Sequence, residues 1–404
     1  MFLGNIYIHE AGLDFRRFGT QTEETRGSFR HDLDIQFFPG RSQQKWPALE
    51  MLLGRARKAA PFDVSLALAE GRMWMARGKP ARAAGVYESL RSRGVQTESL
   101  LREHLLALIA ANDLEQAATL AKVADGATEE PWRKALRAHI LVRRRQNDQA
   151  EPLFQAALAQ ARDRQLALVV YHIHEAYGPA AAAEKIQAWT GELPHAYLAL
   201  LHLGDLCIPK VIAGDQAQAE VAEKIFLRSR ERAPADQKTL ANRRLGVIYS
   251  TLGKHQQAEQ AYLAVLTQQP DDTQALNNLA YLYTNDMEQP AKALPHAQRA
   301  LTLARNDPNV LDTLGWTLAR MGQMDTARKT LLRAIQAGAG MPASCYHMGW
   351  SYEKDPAGRL EQAIGYYRMG LHLVSPGRQD PLRQLLEQGV ERVSQRSSLA
   401  RSEK

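Results

Sequence analysis

The chain has 404 residues, 45% hydrophobic and 24% charged, the balance of a chain that buries a core rather than a disordered one. Its 51 Lys and Arg exceed its 44 Asp and Glu by 7, a mildly basic excess, and 27 Gly with 18 Pro exclude collagen-like or linker-dominated sequence. Two cysteines, Cys207 and Cys345, are too few for a disulfide framework or a thiolate metal cluster.

The first 45 residues read as a segment apart. MFLGNIYIHEAGLDFRR lacks the long apolar stretch of a leader, and no uncharged run in the chain approaches the ~20 residues of a membrane-spanning helix. The expected location is therefore cytoplasmic, or periplasmic and envelope-associated if the true start lies upstream. Leu33, Ile35 and Phe37 alternate before Pro39–Gly40, which fits a short strand, an extended arm or a terminal cap.

Residues 46–237 carry degenerate helical repeats. Trp46 to Ala60, closed by Pro61, reads as a helix. Gly71, Trp74, Gly78, Ala83 and Tyr87 then set a pattern whose alanine recurs at Ala117 and Ala150, 34 and 33 residues apart, with Phe154 in the slot of Tyr87. The stretch 163–200 is helical in pattern but a poor match. Leu203–Gly204 followed by Ala222 and Phe226 fits with about six extra residues in its turn.

Residues 238–376 repeat strongly. The small residue after a leading apolar position falls at Gly246, Ala280, Gly315 and Gly349, spaced 34, 35 and 34. A second ladder, Ala258, Ala293, Ala327 and Ala363, is spaced 35, 34 and 36. Within one period Leu245, Tyr249 and Leu252 share one helical face, and Ala258, Tyr262 and Val265 share another. Gly253 supplies the turn between them and Pro270 ends the second helix. Small residues at 246 and 258 let the two helices close on each other, with Tyr262 filling the space beside them. Each unit keeps an apolar flank that only stacking hides. Residues 377–404 close the chain: Leu382, Leu385, Leu386, Val390 and Val393 predict a capping helix from Pro381, and SQRSSLARSEK a frayed polar tail.

This pattern resembles the tetratricopeptide repeat, with contiguous copies at 239–272, 273–307, 308–341 and 342–375 and an LGW wording similar to bacterial copies. The resemblance implies an all-α, right-handed solenoid of antiparallel helix hairpins, eight or nine units over about 64–375. It implies a non-catalytic scaffold whose concave groove holds a partner protein or peptide, without cofactor or metal.

Residues one past the small position should face that groove: Val247, Tyr281, Trp316 and Trp350. One turn earlier on the same face lie Arg243, Asn277, Asp312 and Tyr346; Ser250, Thr284, Ala319 and Glu353 follow, with Arg320 alongside. The expected partner-binding set is Arg243, Asn277, Asn278, Tyr281, Asp312, Trp316, Arg320, Tyr346 and Trp350. Aromatics supply contact area and Asn can bond a peptide backbone through both donor and acceptor. Trp316 and Trp350 have a second reading, packing between neighbouring first helices. Family members that grip a peptide C-terminal carboxylate do so with Lys and Asn at fixed groove positions; here only Asn278 matches, against Arg243, Val247 and Thr313. The basic excess favours an acidic partner.

No phosphate loop, Rossmann glycine pattern, HExxH or GxSxG is present, and no enzyme is visible. On a helix His172 and His174 point to opposite sides and cannot share a metal. Cys207 and Cys345 read as buried, inert thiols. Arg143, Arg144 and Arg145, with Arg133, Lys134 and Arg137 before them, could form a stripe attracting phosphate, but Asp148 and Glu151 interrupt it and no aromatics interleave. A solvated helix face fits better, and nucleic acid is a weaker partner than protein. The other alternative is an accessory subunit of an enzyme or of an envelope or polysaccharide-export complex.

Overall fold

A computed structural model of the chain describes residues 46–60, 62–122, 129–191, 193, 195–338, 341–356, 358–374 and 381–402. The expectations for residues 1–45 and for Pro61 lie outside these. The described residues form twenty α-helices and no strand. They divide into two compact units, one ending at Thr190 and the other starting at Gly191.

In the first unit α1 (Trp46–Ala59) precedes four hairpins: α2 (Val64–Ala76) with α3 (Pro80–Arg91), α4 (Glu98–Ala110) with α5 (Leu114–Leu120), α6 (Pro131–Arg143) with α7 (Asn147–Gln160), and α8 (Asp163–Tyr177) with α9 (Pro179–Thr190). The second unit holds five more. These are α10 (Ala196–Ile212) with α11 (Gln216–Arg232), α12 (Lys238–Thr251) with α13 (His255–Gln268), α14 (Thr273–Tyr281) with α15 (Pro290–Leu303), α16 (Pro308–Arg320) with α17 (Met324–Ala337), and α18 (Pro342–Glu353) with α19 (Leu360–Leu373). Helix α20 (Pro381–Ser402) packs on the last pair. Within each unit this is the all-α helical-hairpin solenoid the periodicity predicts.

The helices start where the sequence offers caps. Asp63, Thr97, Asp113, Asp215, Asp272 and Asp307 each accept an amide of the first turn, satisfying donors that have no intrahelical partner. Each hairpin then closes by a small-against-large contact. A Cβ added at Gly246 would fall 2.4 Å from the Tyr262 ring, at Gly71 2.1 Å from Tyr87, and at Gly349 2.6 Å from Tyr367. Those three tyrosines are essentially buried, and burial of each ring contributes on the order of 2–3 kcal/mol. Where the small position is Ala280, the residue in the slot of Tyr262, 35 residues on, is Ala297, and both are buried: a methyl gained at one slot accompanies a ring lost at the other.

Three details differ from the sequence reading. The six extra residues of the 203–226 copy lengthen its helices rather than its turn. Helices α10 and α11 are 17 residues each against 14 each for α12 and α13, and the connection is only Ala213–Asp215, with Gly214 at φ 89. The poorly matching 163–200 stretch still forms a hairpin, hinged at Gly178 with φ 76. The polar tail does not fray early: α20 runs through Ser402, with Leu386 and Val393 fully buried. Its anchor is Glu353, 3% exposed, whose carboxylate accepts Arg392 Nε and Nη2 and the Tyr367 hydroxyl, each at 2.8 Å. Those bonds hold the Glu353 carboxyl below its usual range despite the opposing cost of burial.

Candidate functional site

In the second unit the first helices do bring the predicted aromatics together. Trp316 is stacked on His347 with centroids 4.3 Å apart and an interplanar angle of 14°. It meets Trp350 edge-on at 4.9 Å and Tyr346 at 6.4 Å. Trp316 is only 3% exposed, so of its two readings packing between first helices is the one that fits. Trp350 and Tyr346 are half-buried at the border of this cluster, and Arg320 lies over the Trp316 ring at 5.4 Å. Tyr281 is the open member at 39% exposure. Its phenol is nevertheless pushed up to about 12, first by burial and then by Asp286 and Asp312.

Several predicted contacts are used internally instead. Asp312, 6% exposed, pairs with His347 Nδ1 at 3.0 Å and is unavailable to a ligand. Arg243 donates to Asp272, the cap of α14, and so ties α12 to the next hairpin. Asn278 turns onto the preceding hairpin, where it meets Tyr262 of α13. Thr284 is buried against Thr317 Oγ1 at 2.8 Å, and Glu353 is sealed beneath α20. The reason is common to all: in a stack, the same helical face that lines the inner surface also carries the contacts between neighbouring first helices. The buried, unpartnered side-chain atoms here include Asn277 Oδ1, Trp316 Nε1, Arg243 Nε and Ser344 Oγ.

The first unit holds a site that the sequence reading missed. A pocket of about 380 Å³ opens on α2, α4, α6 and α8, the four first helices. Arg72, Leu106 and His139 line it, 34 and 33 residues apart, one past the equivalent positions Gly71, Leu105 and Ala138, of which the second is not small. The register rule that picked Tyr281 and Trp316 selects these three as well; the signal was the alanine ladder 83, 117 and 150, whose first helices had not been followed. Beneath the pocket sit buried histidines. His139 and His172 are 4% and 1% exposed, with ring centroids 5.7 Å apart, and both His139 ring nitrogens and His172 Nδ1 are unpartnered. Burial holds them down at about 4 and about 3, helped at His139 by Arg143 and at His172 by His139.

The other singled-out residues have ordinary surroundings. Arg143 donates to Asn112 Oδ1 at 3.0 Å, Arg144 pairs with Glu115 at 3.0 Å, Arg137 pairs with Glu129 at 2.7 Å, and Arg145 sits in a turn at φ 61. Cys207 and Cys345 are fully buried, and burial pushes both thiols up to about 11. Among the described residues no three His, Cys, Asp or Glu are grouped to hold a metal ion, and no helix is long and apolar enough to cross a membrane.

This stacking of helix pairs defines a class, the α-helical repeat protein. Residues 243–310, from α12 into α16, match the tetratricopeptide repeat family model. No curated protein matches it in sequence. Among solved structures it is similar to YrrB, a TPR protein with an unusual peptide-binding site, at 19% identity and TM-score 0.37, over 52% of this chain and 99% of that one. It is similar to TTC0263, a thermophilic TPR protein of Thermus thermophilus, at 18% identity and TM-score 0.40, over 48% and 98%. The APC/C hetero-tetramer Cut9–Hcn1 aligns at 13% identity and TM-score 0.43, over 88% and 82%.

Proposed function

We propose that the protein is a non-catalytic interaction scaffold that holds a segment of a partner protein against the first helices of residues 238–376. The observation that carries this is the exposed Tyr281 ring. An aromatic ring 39% exposed lies one turn from Asn277, whose buried Oδ1 has no partner, on the face where α16 and α18 carry the Trp316, Tyr346 and Trp350 cluster. A large apolar ring ringed by desolvating neighbours, next to an unsatisfied amide, is the composition of a binding hot spot. Trp316 and Asp312 act as its floor and brace rather than as contacts. Mild positive charge favours an acidic partner, and Arg320 at the margin of the cluster adds to that bias.

The test is Tyr281→Ala combined with Asn277→Ala. Affinity capture with the intact chain, quantified by mass spectrometry, should lose its specific partners by at least roughly tenfold, a change of about 1.4 kcal/mol. Circular dichroism should be unchanged, since Tyr281 is exposed and Asn277 half-buried. Unaltered capture by a folded double variant would remove Tyr281 and Asn277 from consideration.

A further inference from the structure

We propose that the outer face of α1, with the cations around it, docks the first unit on an anionic lipid bilayer. Helix α1 packs on α2 through the buried Leu53 and turns its opposite side outward. Met51 and Leu52 stand on that side at 55% and 42% exposure, and Phe62, just past the helix end, is 59% exposed. Arg55 and Lys58 are exposed beside them: positions 51, 52, 55 and 58 fall within an arc of about 120° on the side away from Leu53. Further cations gather at both ends of the helix. Near its start Glu50 pairs with Arg77, and the Arg77, Lys79 and Arg82 head groups lie 5.0, 5.7 and 4.7 Å from the Trp74 ring centre. Beyond its end Arg93 lies over Phe62 at 5.5 Å.

The charge here is local and uncompensated. Residues 46–93 hold nine Lys or Arg against four Asp or Glu, an excess of 5 where the whole chain has 7. Three of the four acids are committed: Glu50 to Arg77, Asp63 to the Leu66 amide as the cap of α2, and Glu88 toward His104 Nδ1 at 3.7 Å. The fourth, Glu70, is half-buried. Arg55, Lys58, Lys79, Arg82 and Arg93 are exposed and have no carboxylate partner among the described residues. This mixture selects the occupant. A bilayer accepts both kinds of side chain at once: Met51, Leu52 and Phe62 enter the acyl boundary, while the long stems of Arg55 and Lys58 keep their charges among the lipid headgroups. A nucleic acid would take the cations but gain nothing from Met51 and Leu52. A second copy would bring the same positive excess against itself. With 14 residues, α1 lies along such a surface rather than through it. The face shares no residue with the Tyr281 site and stands or falls independently of it.

The probes are vesicles of phosphatidylcholine alone and of phosphatidylcholine with about 30% phosphatidylserine, floated with the full chain. The mixed vesicles should bind at least roughly tenfold more tightly and lose the protein at about 0.5 M salt, since each cation at an anionic leaflet strengthens binding roughly fivefold and salt screens that attraction. Lys79→Gln with Arg82→Gln should weaken binding about tenfold or more. Met51→Ser with Leu52→Ser should do the same at unchanged charge, and Tyr281→Ala with Asn277→Ala should change nothing. An environment-sensitive dye on Leu52→Cys should shift to the blue on mixed vesicles, whereas the same dye on Leu332→Cys, an equally exposed leucine of α17, should not; the native Cys207 and Cys345 are buried. Equal binding to both vesicle types, binding indifferent to the Met51 and Leu52 changes, or equal dye shifts at the two positions would each overturn the assignment. Tighter binding of single-stranded RNA than of mixed vesicles would give the surface to a nucleic acid instead. A dimer in sedimentation velocity that Met51→Ser with Leu52→Ser dissociates would give it to a second copy.

Discussion

The two units place equivalent helices under the same register yet build different inner faces. In the first, the equivalent positions hold Arg72, Leu106 and His139 and leave a pocket of about 380 Å³. In the second, Tyr281, Trp316 and Trp350 occupy those positions, and two tryptophans in edge contact at 4.9 Å fill the space. The backbone repeat fixes where the concave ladder runs; side-chain volume decides whether it is a cavity or a packed cluster with one open ring. The units also treat buried titratable groups differently. His347 in the second has the Asp312 carboxylate at 3.0 Å, and Glu353 has Arg392 and Tyr367 at 2.8 Å. His139 and His172 in the first have no such partner.

The largest test of that contrast is acid. In the unfolded chain a histidine takes up a proton near 6.5, whereas His139 and His172 are held at about 4 and about 3 in the fold. Both depressed values favour the neutral form, so their stabilisation is complete above 6.5 and declines as the pH falls through that value toward 4 and 3. At pH 5 the unfolded state binds more protons, and the loss is about 2 kcal/mol per histidine, about 4 for the pair. Hydrogen exchange at pH 7 and 5, corrected for intrinsic rates, should show α6 and α8 opening while α16 and α18 stay protected. His172→Gln should flatten the profile by about half. Equal protection of both regions at pH 5 would erase the distinction.

A second test removes a charge partner in the unit that supplies them. Arg392→Ala leaves the buried Glu353 carboxylate with only Tyr367 and the more distant Arg396 at 3.8 Å. The cost should be about 3 kcal/mol, toward the low end for breaking a buried pair, and α20 should detach first in urea. Glu353→Gln should cost less, because it strands a guanidinium that is already 45% exposed. The reverse ranking would mean that α20 is held by its apolar face alone.

How much of this was legible in the sequence follows from the same physics. Hairpin positions were readable because a small residue at 246, 315 or 349 and its ring or leucine partner leave a period that composition cannot imitate. The groove face was readable as a face, yet Asp312, Arg243 and Asn278 went to internal partners. No spacing argument can separate a contact between neighbouring first helices from a contact with a ligand when both use one side of the helix. The first-unit pocket was encoded in the register and obscured by weak repeats. Lengthened helices at α10 and α11 looked like an insertion in a turn because a turn is where insertions are ordinarily tolerated. Gly246→Ala tests the readable part: its methyl would meet Tyr262 at 2.4 Å and should cost about 2 kcal/mol by overpacking, whereas Ala280→Gly, with Ala297 in the slot of the ring, should cost about 1 kcal/mol, the usual price of glycine inside a helix. Urea midpoints of the two variants that coincide would contradict the matched-volume account of hairpin closure.

The smallest expected effect lies in the turns, where repeats again differ. Gly78, Gly214, Gly253, Gly322 and Gly358 take positive φ between paired helices, but the α14–α15 connection uses Glu288 at φ 54. The chain there leaves α14 through a π turn, Leu282–Asp286, and the Gln289 amide returns to the Tyr283 carbonyl at 2.6 Å, so the left-handed residue is imposed by the hydrogen bonding around it. A side chain in that conformation costs about 1 kcal/mol relative to glycine, partly offset by the greater freedom glycine gives the unfolded chain. Glu288 also accepts Arg320 Nη2 at 3.2 Å, an exposed pair worth less than that strain. Glu288→Gly should therefore raise stability by about 0.5 kcal/mol, measured as a higher urea midpoint with unchanged slope. A lower midpoint would show that the Arg320 pair, which also places the guanidinium over Trp316, outweighs the turn strain.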